Sequence, residues 1–166
     1  SDEFDAEMPA NIGACYTAKK VEINGTSGFL QLWDTPGQEK FRTHAPMYYR
    51  ISDIAVLVFS LVDSSSLDDV KIWASEVKEK TEEMPKLFVV GTKMDLENER
   101  QVSTSQGNAV AKQLDAMYFE VSSKSGHGVD DLFANIADES FRQFSSNTRP
   151  HKPSIERTDV PILNYL

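Results

Sequence analysis

The chain has 166 residues, of which 40% are hydrophobic and 26% charged, and this suits one globular domain with a substantial core. The formal net charge of −9 argues against non-specific binding to nucleic acid or to an anionic membrane surface, since both partners are also negative. No apolar run approaches the roughly 20 residues that a membrane-spanning helix needs. The single cysteine, Cys15, cannot form an internal disulfide, so a reducing, cytoplasmic environment is expected.

A two-stranded hairpin is predicted near the start of the sequence. Residues 14–23 have an extended pattern that leads into Asn24-Gly25, a strong turn sequence. Residues 29–33 then alternate apolar and polar positions, as a second strand does. The segment that follows begins with Asp-Thr-Pro-Gly-Gln-Glu, a sequence rich in turn residues.

Buried strands and amphipathic helices alternate through most of the remaining chain. Apolar runs predict strands at 54–59, 87–90 and 117–121. Helical spacing of apolar residues predicts helices within 67–77, 103–114 and 129–141. Ser103, and the serines at 64–66, are predicted to cap the helices that follow them. The alternation predicts an α/β fold with a mostly parallel sheet and helices on both faces.

The alternation stops at about residue 145. Residues 147–166 contain three prolines and no periodicity of either kind, which is typical of a linker or tail. The sequence therefore predicts one domain over residues 1–144 and a C-terminal tail or linker over residues 145–166.

Three polar motifs follow predicted strands and share one edge of the predicted sheet: Asp34–Gln38, Gly91–Asp95 and Ser122–Lys124. Ligands of open α/β sheets bind at the carboxyl ends of the strands. Taken singly, each of the first two motifs fits a plain turn or a solvated loop about equally well, and the third says little. Their order, spacing and common edge make the combination specific.

These motifs resemble those of the Ras superfamily, and most closely those of its Rab branch. Residues 33–39 (Trp-Asp-Thr-Pro-Gly-Gln-Glu) are similar to the family's second switch. Residues 91–95 (Gly-Thr-Lys-Met-Asp) resemble its guanine-recognition motif, and residues 120–124 (Glu-Val-Ser-Ser-Lys) its second base-contacting loop. The resemblance runs from about residue 4 to residue 144 and implies the three-layer P-loop GTPase fold, known as the G domain.

The resemblance implies a site for GTP or GDP. Asp95 would accept two hydrogen bonds from the guanine edge, where adenine has no matching pair of donors. The aliphatic stem of Lys93 would cover the face of the base. The remaining nucleotide-binding positions would be Gly37, Thr92, Ser122, Ser123 and Lys124. Thr92 stands where the family most often has Asn.

The second switch would carry the chemistry of hydrolysis. Asp34 would hold Mg²⁺ through a water molecule, and the N–H of Gly37 would contact the γ-phosphate. Gln38 would be the catalytic residue that orients the attacking water, although its residue type alone also fits an exposed polar loop.

A surface for effector proteins is implied at four positions: Ile12, Tyr16, Trp33 and Tyr48. Ile12 belongs to an Ile-Gly pair that is similar to Rab proteins, as is the sequence Ala-Pro-Met-Tyr-Tyr-Arg at 45–50. The three aromatic residues match a triad that Rab proteins present to effectors. Packing of these rings in the core is an equally good interpretation.

The largest departure from the family is the phosphate-binding loop, since no Gly-x-x-x-x-Gly-Lys-Ser/Thr sequence occurs in the 166 residues. The family has this loop, the strand before it and the helix after it ahead of the first switch. We therefore expect the first strand, the loop and the first helix of the fold to be absent from these residues. The strand is central in the family's sheet, so its neighbours would stay unpaired unless a longer protein or another segment fills the gap.

Two departures concern the switches. Asn11 occupies the position of a threonine that ligates Mg²⁺ in the family; its carbonyl oxygen could be a metal ligand, but on a longer arm. Pro36 replaces the usual alanine, which stiffens the loop and removes an N–H donor beside the phosphate site. Slow GTP hydrolysis is therefore expected.

The resemblance implies a GTP/GDP switch in vesicle trafficking, with effectors, an exchange factor and a GTPase-activating protein as partners. The alternatives are a pseudo-GTPase, which binds proteins without cycling, and a regulatory G domain of a tandem protein. Rab proteins end in prenylated cysteines, whereas this sequence ends Asn164-Tyr165-Leu166, so no membrane anchor is expected within it. Attachment to the cytosolic face of endomembranes would require an anchor in the complete protein.

Overall fold

The computed structural model describes residues 15–23, 26–35, 51–145 and 159–165. The predicted site positions Asn11, Ile12, Gly37, Gln38 and Tyr48 lie outside the described residues. So do Pro36, the predicted turn Asn24-Gly25 and residues 45–50.

Six strands and three α-helices form the described part of the chain. The strands are β1 Cys15–Ile23, β2 Thr26–Thr35, β3 Ile54–Ser60, β4 Lys86–Thr92, β5 Met117–Glu120 and β6 Asp159–Tyr165. The helices are α1 Ser64–Lys80, α2 Thr104–Gln113 and α3 Val129–Ser145. The strands form one sheet in the order β1-β2-β6-β3-β4-β5. β1 and β2 are antiparallel, and every other neighbouring pair is parallel.

The predicted hairpin is confirmed, with Ile23 in register with Thr26 across the Asn24-Gly25 position. The strands predicted at 54–59, 87–90 and 117–121 correspond to β3, β4 and β5. β3 and β4 lie side by side in the sheet. Buried residues alternate between the two faces of both strands, which explains their continuous apolar sequences.

Two hydrophobic clusters lie on opposite faces of the sheet. One contains Ala55 and Leu57 of β3 together with residues of α1 and α2. The other contains Ile54 and Val56 of the same strand together with Leu132 and Ile136 of α3. This three-layer arrangement confirms the predicted α/β fold with helices on both faces.

The helix caps agree with the sequence at α2 and differ at α1. Ser103 caps α2 in a capping box: its Oγ accepts a hydrogen bond from Gln106 N at 3.3 Å, and Gln106 Oε1 accepts one from Ser103 N at 2.8 Å. At α1 the N-cap is Asp63, whose Oδ1 accepts a hydrogen bond from Ser65 N at 3.0 Å. The serines at 64–66 lie within the first turn, because Asp63 has the extended backbone of a cap.

Ser103→Ala should lower the free energy of unfolding by about 1 kcal/mol, because Gln106 N in the first turn of α2 loses its side-chain acceptor, while the bond from the residue 103 N–H to Gln106 Oε1 can remain. The measurement is urea denaturation followed by circular dichroism. Ser75→Ala is the matched control. Its hydroxyl donates to Lys71 O within α1, at 2.9 Å, and caps no helix. An equal loss in both variants would contradict the prediction.

Strand β6 was not predicted. It lies within residues 145–166, which the sequence indicated to be a tail or linker. It pairs with β2 from Asp159 to Tyr165 and with β3 from Ile162 to Tyr165, in parallel with both. β6 therefore fills the central gap that the sequence analysis expected between these strands. The pattern gave no strand because Pro161 interrupts it and because a strand between two others needs no alternation of polar residues.

Within the described ranges, none of the helices has the length and apolar character that crossing a membrane requires.

Candidate nucleotide-binding site

The predicted nucleotide-binding residues after β4 and β5 lie together at one edge of the sheet. β4 ends at Thr92, whose Oγ1 donates to Phe59 O of β3 at 2.9 Å. Leu61 N in turn donates to Thr92 O at 3.0 Å. Thr92 thus fixes the end of β4 against the end of β3. The Thr92 hydroxyl therefore donates its hydrogen to the protein backbone.

Lys93 and Asp95 follow Thr92 in a tight turn. Lys93 has φ of 63°, a left-handed conformation that is uncommon for a lysine and stores strain. The turn is closed by the hydrogen bond from Leu96 N to Lys93 O, at 3.0 Å. Both the Lys93 and the Asp95 side chains are exposed, as a pair that receives a ligand must be.

Ser122 connects this turn to the loop after β5. It is fully buried, and its Oγ donates to Asp95 Oδ1 at 2.6 Å while accepting from Ser125 N at 3.1 Å. Met94 N also donates to Val121 O at 3.1 Å. The two predicted base-contacting motifs are therefore joined by a side-chain and a backbone hydrogen bond. Ser122 holds Asp95 in place and has no exposed surface of its own.

The Asp95 carboxylate is favoured in its charged form. The hydrogen bond from Ser122 holds the pKa of Asp95 below its ordinary value, and the charge of Lys124 lowers the pKa further. Because the folded pKa is depressed, the associated stability is complete above the unfolded value of 3.8 and is lost as the pH falls through the folded pKa. At neutral pH this group is an acceptor with one oxygen oriented by Ser122.

Ser122→Ala should raise the pKa of Asp95 toward 3.8, because the largest cause of its depression is removed. The measurement is a titration of the Asp95 carboxyl carbon by NMR. Ser123→Ala is the matched control, since Ser123 is an exposed neighbour and is not among the causes of the lowered Asp95 pKa. An unchanged Asp95 pKa in Ser122→Ala would show that the hydrogen bond does not control it.

The loop from Ser122 to Gly128 presents backbone donors. Ser122 N donates to His127 O at 3.0 Å and Gly126 N to Ser122 O at 2.8 Å, so the loop closes on itself. Within the described residues we find no acceptor for the N–H groups of Ser123 and Lys124. Ser123 and Lys124 are two of the positions predicted from the sequence to bind the nucleotide.

A polar network that the sequence analysis did not identify lies behind this loop. Arg100 forms a two-pronged pair with Glu120, at 3.2 Å and 3.0 Å, and Tyr118 donates to Glu120 at 2.7 Å. Burial raises the pKa of Glu120, but hydrogen bonds from Arg100, Tyr118 and Thr104 outweigh it, so the pKa is lowered. The network holds the end of β5 just before Ser122. The signal in the sequence was Glu120, a charged residue within a predicted strand, because a charged side chain there needs a partner of opposite charge.

Asp34, the predicted Mg²⁺ residue, is the penultimate residue of β2 and is partly buried. β2 runs parallel to β6, and β3 and β4 continue the parallel arrangement, so Asp34 lies toward the same edge of the sheet as Asp95. The part of the chain that the structure describes contains no cluster of three His, Cys, Asp or Glu side chains that could hold a metal ion. The other predicted ligand, Asn11, is outside that part.

The aromatic residues of the predicted effector surface are close together. The Tyr16 and Trp33 rings lie 5.0 Å apart across the β1–β2 pair. Tyr16 is 48% exposed, whereas Trp33 is partly buried and packs against the cluster that contains Ala55. Each of the two interpretations therefore fits one ring: an exposed surface for Tyr16 and partial core packing for Trp33.

Comparison with known proteins gives the family. The profile of the Ras family matches residues 1–142. The chain is similar to the Ras-related protein RabJ of Dictyostelium discoideum, with 33% identity over 157 residues, which are 90% of this chain and 61% of RabJ. It is 36% identical to the GTP-binding protein ypt2 of Schizosaccharomyces pombe over 142 residues, 86% of this chain and 71% of ypt2. The identity to the Ras-related protein SEC4 of Candida albicans is 38% over 136 residues, 82% of this chain and 65% of SEC4.

The chain thus spans between 61% and 71% of the length of these relatives. A family profile that covers most of the chain, relatives of Rab type and a sheet with helices on both faces agree with the resemblance carried by the motifs. The chain belongs to the Ras family, and within it to the Rab-like small GTPases.

Proposed function

We propose that the complete protein binds GTP and GDP with Mg²⁺ and acts as a switch in vesicle trafficking. Relatives with the names RabJ, ypt2 and SEC4 support this assignment, and ypt2 is a GTP-binding protein. In such a switch, bound GTP orders the two switch segments and hydrolysis releases them.

The observation that carries the proposal is the oriented carboxylate of Asp95. Ser122 fixes one of its oxygens at 2.6 Å, Lys93 stands exposed two residues away, and the amides of Ser123 and Lys124 follow on the joined loop. A carboxylate in this setting suits a ligand edge with two adjacent N–H donors, and nearby amides suit a carbonyl on the same ring. Guanine has both groups, whereas adenine has no matching pair of donors.

Hydrolysis in this proposal depends on Gln38, Gly37 and Asp34, with Asn11 completing the Mg²⁺ site. We expect a slow intrinsic rate because Asn11 and Pro36 depart from the family at the two switches. Effector proteins, an exchange factor and a GTPase-activating protein are the proposed partners. The proposed location is the cytosol, at endomembranes where the complete protein has an anchor.

In the complete protein, Asn11→Thr should raise the rate of GTP hydrolysis several-fold and lower the Mg²⁺ concentration needed for half-maximal activity. A shorter side chain with a hydroxyl ligand would close more readily on Mg²⁺. Single-turnover hydrolysis at a series of Mg²⁺ concentrations measures both effects. Equal rates and equal Mg²⁺ dependence in the two proteins would remove Asn11 as a cause of slow hydrolysis.

The second candidate is a pseudo-GTPase that serves as a protein-binding module, alone or as a regulatory G domain of a tandem protein. Asn11 and Pro36 favour it, and so does an exposed Tyr16 beside Trp33 on the outer strand pair. Retention of Lys93 and Asp95, with Ser122 oriented toward the carboxylate, favours the switch.

The deciding experiment is chromatography of the nucleotide released by heating the purified complete protein that contains these residues. Near-stoichiometric GDP or GTP is the expected result. A folded protein that carries no nucleotide, and that stays empty when GTP and Mg²⁺ are added, would establish the binding-module alternative instead.

A further inference from the structure

The strand that leads into the Ser122–Gly128 loop is short, and the sheet supports it on one side. β5 has four residues, and in the described sheet it lies at the end of the strand order, next to β4. Its last residue, Glu120, is in register with Gly91 of β4. The loop begins two residues later. A strand end with one neighbour in the sheet needs contacts from side chains to keep a fixed position.

Glu120 provides such contacts at the base of the loop. Its side chain is 12% exposed and that of Arg100 is 16% exposed, so the ion pair between them is largely shielded from water. The backbone of Glu120 also meets the other end of the loop, because a Cβ built on Gly128 would lie 2.6 Å from Glu120 O. A displacement of Glu120 would therefore move both ends of the loop.

Hydrogen bonds from Arg100 and Tyr118 hold the Glu120 carboxylate. Arg100 Nη1 donates to Oε1 at 3.2 Å, and Arg100 Nη2 donates to Oε2 at 3.0 Å. Tyr118 Oη donates to Oε1 at 2.7 Å, which is the shortest of these bonds. Arg100 also pairs with Glu97, an exposed carboxylate. Tyr118 belongs to β5 itself, two residues before Glu120 and on the same face of the strand.

The Tyr118 hydroxyl is itself held in one place. Its ring lies nearly parallel to that of Phe59 in β3, with centroids 6.4 Å apart. Gly107 of α2 faces the phenol, since a Cβ built there would overlap the hydroxyl. α2 thus leaves room for this side chain because residue 107 is a glycine. Burial raises the pKa of Tyr118 and the bond to Glu120 raises it further, so the hydroxyl remains a donor at neutral pH.

We propose that Tyr118 is a positioning residue for nucleotide recognition, which acts on the Ser122–Gly128 loop through Glu120. Its hydroxyl orients the carboxylate, and the carboxylate fixes the strand end from which the amides of Ser123 and Lys124 follow. The inference rests on the proposed function, because it adds a residue on which the same site depends. Tyr118 would not touch the nucleotide itself.

The test uses the complete protein and GDP that carries a methylanthraniloyl fluorophore. Tyr118→Phe keeps the ring and removes the hydroxyl, so the variant should fold. It should release the labelled GDP ~5-fold faster or more, because a hydrogen bond to a charged group is lost behind the loop. Stopped-flow fluorescence with an excess of unlabelled GDP measures the rate.

Ser140→Ala is the matched control. It also removes a buried hydroxyl, which donates to Ile136 O within α3 at 2.7 Å, and it leaves the loop and β5 untouched. The rate of GDP release should not change in this variant. Equal acceleration in Ser140→Ala and Tyr118→Phe would show a general loss of stability and would overturn the proposal.

Inosine diphosphate separates the loop amides from Asp95. This nucleotide has the ring carbonyl and the adjacent N–H of guanine but lacks the exocyclic amine. Tyr118→Phe should weaken binding of both nucleotides by the same factor, because the amides suit the carbonyl that both share. Asp95→Ala should weaken GDP more than inosine diphosphate. A larger loss for GDP in Tyr118→Phe would assign the effect to Asp95 and overturn the proposed route through the amides.

Nuclear magnetic resonance tests the inference even if the unmodified protein binds no GDP, a result with which the proposed function itself would fail. The amide resonances of Ser123 and Lys124 should shift in Tyr118→Phe and not in Ser140→Ala, because the hydroxyl supports the loop with or without a ligand. Unchanged amide resonances would overturn the proposal. An unchanged rate of release in a protein that does bind GDP would overturn it as well.

Discussion

Asp95→Ala, introduced into the complete protein, should weaken GDP binding by about 100-fold or more. The substitution removes an ionised acceptor of two hydrogen bonds, and bonds to charged groups contribute about 1.5–3 kcal/mol each. Ser122 keeps the donor from Ser125 N, so the loop retains one of its closures. Isothermal titration with GDP, and competition by ADP, would show both the lost affinity and the lost preference for guanine.

The matched control is Asp69→Ala. Asp69 is an exposed carboxylate of α1, so the charge change is the same and the Ser122 contact is untouched. Affinity for GDP should not change in this variant. Asp95→Ala with the GDP affinity of the unmodified protein would mean that these residues do not recognise the base, and the proposed site would be wrong.

Gly128→Ala should destabilise the protein by about 3 kcal/mol, through two separate effects. Gly128 has φ of +74°, which costs an L-residue about 1–2 kcal/mol. A Cβ at this position would also lie 2.6 Å from Glu120 O, a backbone atom at the end of β5 that is anchored by its strand. Overpacking of this kind adds about 1–3 kcal/mol. Urea denaturation measures the loss.

Gly126→Ala separates the two effects. Gly126 has nearly the same φ, +77°, but nothing lies within 4 Å of a Cβ built there. Only the cost of placing an L-residue at a positive φ applies here, so we expect the free energy of unfolding to fall by about 1–2 kcal/mol. If the two variants were equally destabilised, the contact with Glu120 O would have no energetic role. The comparison tests whether the Ser122–Gly128 loop is held tightly against β5.

The sequence alone was enough to predict the elements that depend only on residues close together along the chain. The apolar runs of β3 and β4 predicted strands buried on both faces, and the Ser103 capping box is complete within four residues. The predicted strand pair at the start of the sequence is likewise found as the antiparallel pair β1 and β2. Each of these patterns depends on neighbours along the chain, which a single sequence displays directly.

Other features depend on residues that are far apart in sequence. β6 is a strand because it pairs with β2 on one side and with β3 on the other, and the sequence of residues 159–165 does not predict this pairing. The pair of Arg100 and Glu120 joins residues twenty positions apart. In the candidate site, the motifs placed Asp95 and Ser122 at one edge, but the buried hydrogen bond between them required the three-dimensional arrangement.

The position of β6 in the sequence has a consequence for biosynthesis. Every other strand of the sheet leaves the ribosome before residues 159–165 do, yet the two halves of the sheet are paired only through this strand in the described structure. The hairpin and the β3–β5 half can form early, with open strand edges facing each other. Among the described residues, β6 is the strand that pairs with both β2 and β3, so we expect it to join the two halves only after it has been translated.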